Sequence, residues 1–181
     1  ETVSCGGGYR LGNRVFKCLG RHGSMNMRSA IMKSCNTYLY SMANRVGYDA
    51  IAPAAKQLGL GQEFPLPFQS QRYGTIPDSG WKQKKYGQEW SRSDTLNAVI
   101  GQGYVSVSPF QLAVMAARIA SGRMLEPEIL LKQRGAAQHL PFPDEHLQVV
   151  RDGMDLVVNG AGTAVRSRLD LPDVTMAGKT G

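Results

Sequence analysis

Two polar triplets, Ser34-Cys35-Asn36 and Lys179-Thr180-Gly181, stand 145 positions apart, and the first interrupts a helical repeat. Met27 and Ile31 before it, and Tyr38, Met42 and Val46 after it, recur at helical intervals. Residues at i and i+2 do not share a helix face, so Ser34 and Asn36 can serve one site only if the chain leaves helical geometry between them. The pattern therefore predicts two helices meeting at a polar hinge.

Around that hinge the chain divides into readable stretches. Up to about Gly23, glycine punctuation and short alternations such as Val15-Phe16-Lys17 predict extended segments and turns. Asp49 begins a short amphipathic helix through Ile51, Ala55 and Leu58, with Pro53 in its first turn and Gly59 and Gly61 ending it. Residues 62–107 are rich in Gly, Pro, Ser and Gln without sustained periodicity, which predicts long surface loops beside a substrate groove.

Ser108-Pro109-Phe110-Gln111 is a capping-box string. It starts a helix whose face is Leu112, Met115, Ala116 and Ile119 and which Gly122 stops. Beyond a turn-rich linker over 126–143, Leu147, Val150, Met154 and Val157 define a second strong helix, opened by Asp144 and Glu145 and closed near Gly160. Val174 to Lys179 reads as a strand. Both ends of the chain look like cuts, so a piece of a larger protein is expected.

With 42% apolar residues, 181 positions can bury a core of one domain, and a folded chain is expected. No run is long enough to span a membrane. The net charge of +7 admits a nucleic-acid binder, but the basic residues are scattered. The one cluster, Lys82, Lys84 and Lys85 with Trp81, Tyr86 and Trp90, reads as a solvated loop without a nucleic-acid motif. Cys5 and Cys18 could be a disulfide or two thiols. With His22 they resemble part of a zinc set, but no fourth ligand is evident, so no metal and no cofactor is expected.

An acyl-transfer site needs a nucleophilic hydroxyl, a proton acceptor, a group that binds the substrate amide and a cation for a terminal carboxylate. The triplets supply the last two. Asn36 can donate and accept, Ser34 can pass a proton, and Lys179, flanked by glycines that permit close approach, can face a carboxylate beside the Thr180 hydroxyl. Taken alone, the same residues also suit helix caps and an edge-strand lysine.

Most of the chain resembles the transpeptidase domain of class B penicillin-binding proteins, most closely the elongation-type branch known as penicillin-binding protein 2. The strings that carry the resemblance run in order: Ser34-Cys35-Asn36-Thr37-Tyr38-Leu39-Tyr40, Gly47-Tyr48-Asp49, Ile76-Pro77-Asp78 into Trp81-Lys82, and Asp94-Thr95-Leu96-Asn97. They continue with Ile100-Gly101-Gln102-Gly103-Tyr104, Ser108-Pro109-Phe110-Gln111-Leu112, Gly162-Thr163-Ala164 and Ala177-Gly178-Lys179-Thr180-Gly181. Ser93 departs from the branch, which usually has glycine there.

The resemblance implies an α/β fold, here the helix-rich portion of the penicillin-binding-protein transpeptidase or β-lactamase-like fold, truncated at both ends. It implies that Ser34 relays a proton, Asn36 holds the donor amide, and Lys179, Thr180 and Gly181 receive the terminal carboxylate of a D-Ala-D-Ala stem peptide or a β-lactam. It further implies a membrane-anchored periplasmic enzyme of a Gram-negative cell. Such an enzyme would work beside a membrane glycosyltransferase of the shape, elongation, division and sporulation family and maintain rod shape.

Nucleophile and base belong to a Ser-x-x-Lys motif expected before Ser34, and none stands there. The literal match Ser79-Gly80-Trp81-Lys82 falls after Ser34 on a loop string of the family. The chain by itself is therefore expected to be inactive. Serine β-lactamases and β-lactam sensors share Lys-Thr-Gly, but the 145-position spacing and Gly101-Gln102-Gly103-Tyr104 favour the transpeptidase. A scaffold without a nucleophile is the non-enzymatic alternative.

Overall fold

The structure is a computed structural model that describes residues 1–67, 71, 74–129 and 137–181. The chain divides into two compact units, 1–45 with 143–181, and 46–142. It is a helix-rich α/β structure with small sheets, as the sequence implied.

In the first unit, the glycine-punctuated start forms two antiparallel strand pairs. Strand β1 (Val3–Cys5) pairs with β4 (Gly23–Met25), and β2 (Gly8–Leu11) pairs with β3 (Arg14–Lys17). Two-stranded ribbons are marginal alone, and these are held by what they cover. Cys5 and Met25 pack with Ala30, Cys35 and Tyr38, while the Phe16 ring meets Tyr40 edge-on.

Helix α1 (Met27–Lys33) starts at a capping box in which Asn26 and Ser29 satisfy each other's backbone. Helix α2 (Asn36–Val46) follows after the break that the spacing demanded. At the far end of the sequence, α7 (Asp144–Asn159) has the predicted bounds. It packs on α1 where Gly153 faces Ile31: a Cβ at 153 would stand 2.9 Å from the Ile31 Cβ, so only a bare backbone fits. Arg28 and Asp152 bridge the same pair of helices at 2.8 Å.

In the second unit, α3 (Tyr48–Gln57) begins one residue earlier than expected, which puts Pro53 in its second turn instead of its first. The unperiodic region contains two helices that the sequence pattern did not predict, α4 (Ser79–Tyr86) and α5 (Arg92–Val99). Their starts are written in caps rather than in an apolar stripe. The Asp78 side chain accepts from Trp81 N, and Ser91 and Asp94 form a reciprocal box.

Lys82 is therefore no solvated loop residue. It is 6% exposed and meets Asp94 at 2.7 Å. Trp81, Tyr86 and Tyr104 cluster with ring centroids 5.4–5.7 Å apart, and the Lys85 ammonium lies over the Trp81 ring. Residues 68–70 and 72–73 of that region, and 130–136 of the later linker, lie outside the described residues.

Helix α6 (Pro109–Ser121) has the predicted box and the left-handed Gly122 stop, but its face is displaced. Leu112 is 43% exposed, whereas Gln111, Val114, Arg118 and Ile119 are buried. Two polar chains can occupy that face because they are hydrogen-bonded. Gln111 Nε2 donates to Gln62 O at 2.8 Å, and Arg118 donates to the carbonyls of Gln57 and Leu125.

The expected strand over 174–179 is absent: these residues belong to no ladder. A strand exists only through neighbours, and here the segment is tied to α7, with Asn159 Nδ2 donating to Met176 O and Gly178 N to Met154 O. Among the described residues no helix is long and apolar enough to cross a membrane.

Candidate active site

Ser34 ends α1 at φ 52 and ψ 48, and it is the one non-glycine residue at positive φ among those described. The amides around it close the helix in the Schellman pattern: Ser34 N donates to Ile31 O and Cys35 N to Ala30 O, at 3.2 and 2.8 Å. Glycine normally takes the left-handed position of that motif. A serine there is strained by roughly 1 kcal/mol, which points to a side chain needed for something other than the turn.

That side chain is 8% exposed and receives Lys179. Lys179 Nζ donates to Ser34 Oγ at 2.7 Å and also to its neighbour's carbonyl, Thr180 O. Partial burial pushes the Lys179 ammonium below the ordinary lysine value. The Thr180 hydroxyl stands 3.3 Å from Ser34 Oγ and 2.7 Å from the hydroxyl of Thr163. The two triplets, distant in sequence, thus share one polar network inside the first unit.

Asn36 opens α2 on the other side of the hinge. It is half-buried, and no protein partner of its side-chain amide is described. Gly181 is exposed next to Thr180, and a Cβ there would meet nothing within 4 Å. Thr163, which sequence reasoning quoted only as part of a family string, is the residue that joins this network unannounced. The signal available was its place in Gly162-Thr163-Ala164.

A second cluster lies directly behind the hinge. The sequence left Cys5, Cys18 and His22 without a fourth ligand; the structure supplies Cys35, and the four donor atoms lie within 4.8 Å of one another. All three cysteines are free thiols, Cys5 and Cys35 fully buried.

Three of the separations match the edges of a tetrahedral site. With bonds of about 2.3 Å to sulfur and about 2.0 Å to nitrogen, tetrahedral edges come to about 3.8 Å between sulfurs and about 3.5 Å from sulfur to nitrogen. Cys18 and Cys35 sulfurs are 3.9 Å apart, and His22 Nδ1 is 3.6 Å from Cys5 and 3.5 Å from Cys18. The thiols are unequally ready to ionise. Burial would raise Cys5, but hydrogen bonds from Thr37, the backbone and Cys35 bring it down to about 7, while burial pushes Cys35 up to about 12. A divalent cation would supply the charge that stabilises the buried thiolate.

A left-handed serine at a helix junction, held by the lysine of a Lys-Thr-Gly string 145 positions away, is the arrangement this chain presents. The comparisons are more specific: the chain belongs to the family described as the penicillin binding protein transpeptidase domain, which matches residues 1–181. The peptidoglycan D,D-transpeptidase MrdA of Acinetobacter baumannii is 32% identical over 176 residues, covering 88% of this chain and 25% of the relative. That of Haemophilus influenzae is 30% identical over 172 residues, covering 88% and 26%.

Among solved structures, Helicobacter pylori PBP2 in complex with MreC superposes with a TM-score of 0.91 at 27% identity, covering 100% of this chain and 35% of that one. Pseudomonas aeruginosa PBP2 in complex with WCK 5153 gives 0.81 at 30% identity, covering 92% and 39%. The chain therefore spans about a quarter of the length of these curated relatives.

Proposed function

We propose that this chain forms the Ser-x-Asn and Lys-Thr-Gly side of a peptidoglycan D,D-transpeptidase cleft, as a partial transpeptidase domain over 1–181. The observation that carries this reading is the 2.7 Å bond from Lys179 Nζ to Ser34 Oγ, made across 145 positions.

The chemistry divides between this chain and a Ser-x-x-Lys segment. The nucleophilic serine of that segment attacks the penultimate D-alanine carbonyl, forms an ester and releases D-alanine. An acceptor amine then attacks the ester, forming the cross-link amide and freeing the serine. Ser34, its oxygen engaged by Lys179, keeps its own proton available for exchange between the Ser-x-x-Lys lysine and the leaving nitrogen. Asn36, with no protein partner described for its amide, binds the donor peptide's backbone, and Lys179 and Thr180 bind its carboxylate while Gly181 permits close approach. A β-lactam follows the first step and stalls as the ester.

Cys5, Cys18, His22 and Cys35 would hold a structural metal ion such as Zn²⁺. Four protein donors leave no open position for substrate, so its contribution is to hold the segment that carries Ser34 and Asn36.

By likeness to relatives named MrdA and to PBP2 in complex with MreC, the protein acts in cell elongation. Its site is the periplasmic face of the inner membrane, its substrates are D-Ala-D-Ala stem peptides, and its partner is a membrane glycosyltransferase of the shape, elongation, division and sporulation family. Labelling with a fluorescent penicillin tests the reading on the chain expressed with its flanking coding sequence. A covalent band that fades in Lys179→Ala and Asn36→Ala is expected; a folded protein that takes no label would point to a non-catalytic scaffold.

A further inference from the structure

We infer that Thr163 is a positioning residue that sets the direction of the Thr180 hydroxyl, an inference that rests on the transpeptidase reading. Its oxygen lies 2.7 Å from Thr180 Oγ1, closer than Ser34 Oγ at 3.3 Å. Each hydroxyl has a single proton to give. If Thr180 spends its proton on Thr163, nothing remains for a substrate carboxylate. If Thr163 donates instead, the Thr180 proton is free to point into the cleft, and a hydroxyl that is itself receiving a hydrogen bond donates more strongly.

Ser34 is relieved by the same arrangement. Its oxygen already accepts from Lys179, and with Thr180 served by Thr163 its own proton is not tied to the weaker 3.3 Å contact.

The backbone fixes Thr163 for this task. Its amide donates to Met32 O near the end of α1, and the next amide, Ala164 N, donates to Val157 O on α7. Gly162 is pressed so closely on α7 that a Cβ would stand 2.3 Å from the Val157 backbone. The turn therefore presents the Thr163 hydroxyl from between α7 and the end of α1 that carries Ser34.

The test compares Thr163→Val, which keeps the shape and removes the hydroxyl, with Thr163→Ser, which keeps the hydroxyl, in the complete protein. Acylation by benzylpenicillin is expected to slow about tenfold in the valine variant and to stay within about twofold in the serine variant, at equal melting temperatures. With benzylpenicillin methyl ester, which lacks the carboxylate, the valine variant should match the unsubstituted protein. An unchanged rate with benzylpenicillin, or an equal loss with acid and ester, would overturn the inference. If the unsubstituted protein is not acylated at all, the transpeptidase reading fails and the inference with it.

Discussion

Cys18 and Cys35 face each other at 3.9 Å between sulfurs, although one belongs to the turn after β3 and the other is the middle residue of the Ser34-Cys35-Asn36 hinge. The reduced chain should therefore bind one equivalent of Zn²⁺, with three sulfurs at about 2.3 Å and one nitrogen at about 2.0 Å by X-ray absorption. At free metal 100 times Kd the stabilisation should be about 2.7 kcal/mol, and Cys35→Ser should abolish most of it. Three thiols that react with a disulfide reagent equally fast with and without zinc would rule the centre out.

Strain at Ser34 makes stability and function separable. Ser34→Gly should relieve the left-handed backbone and raise stability by about 0.5–1 kcal/mol, while Ser34→Ala, which keeps the strain and loses the hydroxyl, should not. Both should lose β-lactam acylation in the complete protein. Urea unfolding of the two variants side by side reads the difference, and equal stabilities would contradict the strain.

Burial lowers the Lys179 pKa in the folded protein, so its neutral form appears at lower pH there than in the unfolded chain. Two opposite trends follow as pH rises from the lowered value towards 10.5. Stability rises, because the unfolded state still holds the proton, and carboxylate-dependent acylation falls, because the cation is lost. Lys179→Met should flatten both slopes relative to the native protein. A native acylation profile that stays level up to 10.5 would argue against the assignment.

Lys82 and Asp94 form a buried pair whose members are also structural: Asp94 completes the cap of α5. Burial would raise the Asp94 pKa, but hydrogen bonds from Lys82 and Ser91 hold it below 3.8. Its contribution is thus present above the ordinary carboxylate value and is lost as pH falls through the lowered one. Asp94→Leu alone should destabilise more than the double change Asp94→Leu with Lys82→Met, because the single change leaves an uncompensated buried ammonium. Chemical denaturation of the three variants measures this.

The helices α1, α2, α6 and α7 and the break at Ser34 were legible because each is written in local terms: a repeat, a cap, or a spacing that a helix cannot satisfy. Helices α4 and α5 were not, since they bury few apolar side chains and rest on Asp78, Ser91 and Asp94. The displaced face of α6 has a related cause. Gln111 and Arg118 look like surface residues until the carbonyls that receive them are brought into place.

In the site, Ser34, Asn36, Lys179 and Thr180 were named from their motifs, whereas Cys35 was not offered as a fourth ligand beside Cys5, Cys18 and His22. Only tertiary packing carries β1 and the turn after β3 to its thiol. The strand at 174–179 failed because a short segment becomes a strand only when a neighbour pairs with it, and no ladder reaches it among the described residues.

Gly153 and Ile31 occupy one space between two helices, and a single methyl at 153 has nowhere to go. The two positions are therefore sterically interdependent. An alanine at 153 would require a smaller side chain at 31 or a displacement of α1. Because α1 ends at Ser34, such a shift would carry Ser34 with it, so a buried position far from both triplets sets where that hydroxyl stands.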